Sequence, residues 1–183
     1  MSLNNCVALS LVFVMTWILG IPSLGGAVSA SPPCPSDFHV HYEWKAGTMP
    51  PPYHYEYSIE ITATGEGKVS YVPDYPSEKA PVWAEGFTVD SGALQRLCEK
   101  MAAEGLWTEQ WQPPEIPLLG GSSESVVVTG NQRTVSLPSV PAGRQKARAK
   151  AIFEAIKSLV PQSLWAKLEE QRDRYRMERY GEK

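Results

Sequence analysis

The stretch Phe38-His39-Val40-His41-Tyr42-Glu43-Trp44 alternates without a fault. Phe38, Val40, Tyr42 and Trp44 fall on one side, and His39, His41 and Glu43 on the other. A period of two is the signature of a strand buried on one face only. Gly47 and the three prolines Pro50 to Pro52 stop that strand. The alternation then resumes over 53–62, with Tyr53, Tyr55, Tyr57, Ile59 and Ile61 on the apolar side. Gly65-Glu66-Gly67 supplies a turn, Lys68 to Val72 returns as a third strand, and Val82 to Val89 is expected as a fourth. Strands of this kind form an antiparallel meander with one wet face.

Downstream of the meander the period changes. Leu94, Leu97, Cys98 and Met101 stand at i, i+3, i+4 and i+7, one apolar stripe of a helix that Asp90 or Ser91 caps and Gly105 ends. Residues 107–124 read as a loop rich in Pro, Gly and Ser. A hairpin follows, with Val126 to Thr129 and Thr134 to Leu137 as its arms. A second helix from about Ala142 carries Ala149, Ile152, Phe153 and Ile156 inward, and a third from about Ser163 carries Leu164, Trp165 and Leu168. Strands first and helices after predict an α+β fold. Its antiparallel sheet, a meander of about four strands plus a later hairpin, is packed on one face by two to three helices.

The first thirty residues contain no charged side chain, and an apolar run spans Val7 to Ile21. Pro22, Gly25 and Gly26 then break the run, and Val28-Ser29-Ala30 offers the short side chains that a signal peptidase admits. Residues 1–30 are therefore expected to be a cleavable signal peptide. Residues 31–183 then form a single α+β domain ending in a charged helix. The run is shorter than the ~20 residues of a membrane span, so no span is expected to remain after cleavage, and the product is secreted or periplasmic.

Cleavage would remove Cys6 and leave Cys34 and Cys98, which are expected to pair in an oxidising compartment. With 17 basic and 20 acidic residues the formal charge is −3. No global basic field is present to hold nucleic acid.

Three sets of residues invite chemistry. His39, His41 and His54 would share one polar sheet surface with Glu43 and Glu56 if the first two strands pair with apolar faces aligned. Imidazoles on alternate strand positions can converge on Zn or Cu. The bland counterpart is a wet strand face. Trp107 and Trp111 flank the Pro-rich loop, either as an exposed binding edge or as anchors holding the loop to the core. Gly120-Gly121-Ser122-Ser123 matches neither a nucleophile elbow nor a phosphate loop, and reads as a lead-in to the hairpin. Arg144, Lys146, Arg148 and Lys150 wrap round the start of the second helix. No cofactor loop and no nucleophile beside a base stands out.

The runs 50–57, Asp74-Tyr75-Pro76, Ala80-Pro81-Val82-Trp83 and 164–169 together resemble an uncharacterised group of bacterial exported domains. The resemblance covers most of residues 31–183 and implies no activity, cofactor or site residue. The sequence therefore predicts an exported, non-catalytic binding or interaction module of the bacterial envelope, with an envelope protein or ligand as its partner. The alternatives are a periplasmic metal-binding protein using His39, His41 and His54, and a hydrolase whose site the sequence does not display.

Overall fold

The computed structural model describes residues 34–113 and 120–181. The expected leader over 1–30 lies outside the described residues. Six strands form one antiparallel sheet: β1 His39–Lys45, β2 Glu56–Thr62, β3 Glu66–Val72, β4 Trp83–Thr88, β5 Ser123–Gly130 and β6 Arg133–Leu137, in the spatial order β4-β3-β2-β1-β5-β6. The meander is thus β1 to β4 and the later hairpin β5–β6, which docks on the free side of β1. The α+β expectation holds. The chain leaves the β4 edge through helix α1 (Ser91–Ala103) and re-enters beside β1, and helices α2 (Gln145–Lys157) and α3 (Gln162–Tyr180) complete it.

The period-two pattern sets the register. Val40 lies opposite Ile61 and Val128, and Tyr42 opposite Ile59 and Val126, so the apolar members of three strands form continuous rows. These residues are all buried, beneath Leu97, Met101, Ile152, Phe153, Ile156 and Leu168 of the helices. The opposite face carries His41, Glu60, Lys68 and Ser136 in one cross-strand row and is only partly buried or exposed.

Local signals explain the boundaries. Asp90 caps α1 by accepting from the Ala93 amide at 2.9 Å. Gly105, at φ +77°, ends that helix, and the buried Leu106 turns back so that its amide donates to the Met101 carbonyl at 2.9 Å. The Cys34 and Cys98 sulfurs stand at disulfide distance, with Cα atoms 5.6 Å apart, inside the range a bridge requires. They tie the approach to β1 to the buried side of α1.

One expectation about the fold needs correction. The second strand begins at Glu56, not Tyr53, because the proline loop continues through residue 55. Tyr53 consequently points outward, 44 % exposed. The charged last helix, whose composition alone would leave it to solvent, also packs against the sheet. Its Gln171, Arg172, Tyr175 and Arg176 are part-buried against the sheet. There they meet a cross-strand row of rings, Trp44, Tyr57, Tyr71 and Trp83, stacked at 5.3, 6.3 and 5.8 Å with interplanar angles of 14° or less. Trp165 and Tyr175 meet Tyr57 and Trp83 edge-on. The Arg172 guanidinium lies 4.0 Å from the Tyr55 ring centroid and that of Arg176 5.1 Å from Tyr53. The far end of α3 is fixed by Tyr180, whose hydroxyl donates to the fully buried carboxylate of Asp74. Among the described residues, no helix is long and apolar enough to cross a membrane.

Candidate functional site

β1 ends and β2 begins at the same end of the sheet, and the loop between them forms one wall of a cleft of about 870 Å³. His54 is the anchor of that wall. It is 3 % exposed, and its ring stacks on Tyr75 at 3.7 Å with an interplanar angle of 8°. Its Nε2 lies 3.0 Å from Glu56 Oε1 and its Nδ1 3.4 Å from the Gly47 carbonyl. Both nitrogens are thus turned toward protein oxygens rather than toward the open cleft. The Tyr75 hydroxyl, in the connection that follows β3, donates to the Met49 carbonyl at 2.6 Å and ties that connection to the β1–β2 loop.

The facing wall is the lead-in to β5. A Cβ on Gly47 would stand 2.3 Å from the Gly121 carbonyl oxygen, so the two walls touch backbone to backbone and only glycine fits. Ser122, Ser123, Ser139 and Val140 line the cleft beyond that contact. A smaller cavity of about 190 Å³ shares Ser122, Ser139 and Val140 with it and leads to Lys146 and Lys150 on α2. Those two lysines, one turn apart, share a face, which the wrapped reading of the basic stretch did not anticipate.

The two carboxylates bordering this smaller cavity share one cation. Lys157 Nζ lies 2.9 Å from Glu154 and 3.5 Å from Glu124. Burial works against the charged form of Lys157, but Glu154 and Glu124 outweigh it and hold its pKa above the ordinary lysine range. Glu124 also approaches Tyr42. Burial, with Tyr57 and Glu124 adding to it, pushes the Tyr42 hydroxyl far above the usual phenol range. That hydroxyl meets no partner at strict hydrogen-bond geometry, and the interaction with Tyr57 and Glu124 is the looser one. We read the group as a buried neutral phenol, since desolvation is its largest influence.

The structure does not bring the three histidines together. His39 pairs with Thr62 and Thr129 at one end of β1, six residues or roughly 20 Å along the strand from Lys45, beside which His54 lies. His54 sits before β2, in the proline loop, because that strand starts at Glu56. His41 lies between Glu43 (3.3 Å) and Glu60 (3.7 Å) on the open face. Among the described residues, no group of three or more His, Cys, Asp or Glu is placed to hold a metal ion.

Trp107 and Trp111 are not an exposed edge. Trp111 is 9 % exposed and donates from Nε1 to the Leu106 carbonyl at 3.3 Å. Trp107 packs on the core, and its ring lies so near Gly130 that an added Cβ there would be 3.0 Å away. They anchor the loop that they flank.

No protein-family model and no curated protein matches this chain.

The sequence did not mark Gly47, Tyr75 and Ser139 as members of one cleft wall. Each comes from a different loop and becomes a wall only when β1, β3 and β6 end at the same level of the sheet. Pro50-Pro51-Pro52 marked the loop, but not that it would carry His54 inward.

Proposed function

We propose that this chain is an exported, non-catalytic binding module. Its ligand lies in the cleft between the β1–β2 loop and the Gly120–Ser123 lead-in. One observation carries the reading. The cleft has the volume of a small-molecule site, about 300–1,000 Å³, while its imidazole is 3 % exposed, with its ring nitrogens turned toward Gly47 and Glu56. General-base chemistry needs a nitrogen within reach of a substrate proton, whereas binding needs only a shaped, partly polar wall. Export is supported by the charge-free apolar leader over 1–30 and by the Cys34–Cys98 pair, because such crosslinks persist in oxidising compartments.

Native mass spectrometry after incubation with fractionated small-molecule extract tests the reading. An adduct on the wild type that is lost in the plugged variant Ser139→Trp supports it. Conversion of an extract component by the wild type but not by His54→Ala would replace the binding module with an enzyme. N-terminal sequencing of protein from the producing cells is expected to begin near Ser31, and a mature chain starting at Met1 would remove the export claim.

A further inference from the structure

A second binding place lies at the opposite side of the sheet from β6. The ring row Trp44-Tyr57-Tyr71-Trp83 crosses four strands, and in its interior each ring is sandwiched between neighbours. Trp83 is different. It sits on the edge strand β4 with Tyr71 stacked on one side at 5.8 Å, and among the described residues no further strand follows on the other. A notch of about 280 Å³ opens there, lined by Pro81, Trp83, Gln171, Arg174, Tyr175 and Glu178.

The polar groups of the notch come from one face of α3, at positions 171, 174 and 178. The buried Gln171 Oε1 has no hydrogen-bond partner. Arg174 and Glu178, both exposed, have no ion-pair partner among the described residues. A buried amide oxygen without a partner is costly and calls for an explanation. Rotation of the carboxamide exchanges its oxygen and nitrogen, so Gln171 can present either a donor or an acceptor to the notch.

An indole flanked by a carboxamide, a guanidinium and a carboxylate matches the two sides of a pyranose. The ring C–H groups of an all-equatorial sugar form a flat apolar face that stacks on indole. Its vicinal hydroxyls donate and accept in pairs, which is what planar amide and guanidinium groups recognise. We propose that the Trp83 edge is a saccharide-binding notch that holds one pyranose of a β-1,4-linked glycan, stacked on Trp83 and hydrogen-bonded by Gln171, Arg174 and Glu178. This site is separate from the cleft and does not depend on it.

The probe is cellotriose, followed by the Trp83 indole N–H resonance of the full domain in two-dimensional NMR. An open one-ring site is expected to bind weakly, with a Kd of about 1 mM. The shift should saturate, and the affinity should fall at least roughly tenfold in the Gln171→Ala/Arg174→Ala double variant, as for loss of about 1.4 kcal/mol. That variant leaves the Trp83–Tyr71 stack in place, so it remains folded where Trp83→Ala would risk the aromatic row. Trp83→Phe is expected to weaken binding without abolishing it. An unsaturable response up to tens of millimolar, or equal binding by the double variant, overturns the proposal. Saturable shifts confined to His54, Ser122 and Ser139 would overturn it as well, while leaving the cleft reading intact.

Discussion

Replacing Gly47 with Ala probes the contact that joins the two walls of the cleft. The new methyl would lie 2.3 Å from the Gly121 oxygen, 2.5 Å from its carbonyl carbon and 3.0 Å from its Cα. All three are backbone atoms, so no side chain can rotate away. Carbon and oxygen tolerate about 3.3 Å, which means one wall must retreat by about 1 Å. Overpacking of this kind costs roughly 1–3 kcal/mol. For a domain near this size each kcal/mol lowers Tm by roughly 2–4 °C, giving an expected fall of about 2–12 °C. Gly86→Ala is the control, because a methyl there meets nothing nearer than the Gly67 oxygen at 3.8 Å. Thermal and urea unfolding of both variants decide the matter. If Gly47→Ala melts within a degree of the wild type while the Gly86 control behaves as expected, the two walls do not touch as described, and the shape of the cleft must be redrawn.

Spectrophotometric titration at alkaline pH should find part of the tyrosine complement silent. Burial raises the pKa of Tyr42, Tyr57 and Tyr71, so the stability they contribute is complete below the free phenol value of about 10 and is lost as pH rises above it. Three or more tyrosinates appearing only with unfolding fits, and smooth ionisation of all eight in the folded state does not. Asp37 accepts from the Asn131 and Gln132 amides at 2.7 Å each, and these bonds, Gln132 first, hold its carboxyl below the usual range. Its contribution should be present above pH 3.8 and fade as pH falls below, and Asp37→Ala should abolish that acid-side dependence in urea titrations at stepped pH. Arg172→Ala removes the cation over Tyr55 and is expected to lower stability by about 0.5–2 kcal/mol, with Arg172→Met recovering only the part due to packing. Reduction of the Cys34–Cys98 pair should cost roughly 4 kcal/mol in the chain-entropy account, read as a lowered urea midpoint under reductant.

The sheet was legible because its pattern is strict. Val40 and Tyr42 on β1, Ile59 and Ile61 on β2, and Val126 and Val128 on β5 alternate cleanly, and alternation fixes both the face and the register. The α1 stripe and its Gly105 stop were equally readable. What alternation could not reveal is where a strand begins. Tyr53 and Tyr55 continue the β2 pattern in sequence, but only Tyr55 keeps a bond to β1's extension, accepting from the Ala46 amide at 2.9 Å, while the proline loop turns Tyr53 outward and carries His54 from the wet face into the cleft wall. The role of α3 was hidden for another reason. Arg172 and Arg176 count as polar in any hydropathy pattern, yet each lies over a tyrosine ring. The cleft was least legible, since Gly47, Tyr75 and Ser139 have no mutual spacing in the chain that would point to a shared wall.

The ring row lies entirely on strands made early, and the helix that covers it is the last element of the chain. Until Gln162–Tyr180 has emerged, the edges of Trp44, Tyr57, Tyr71 and Trp83 have nothing over them. A chain cut before Gln162 would therefore display that aromatic strip uncovered, an apolar patch through which copies would associate.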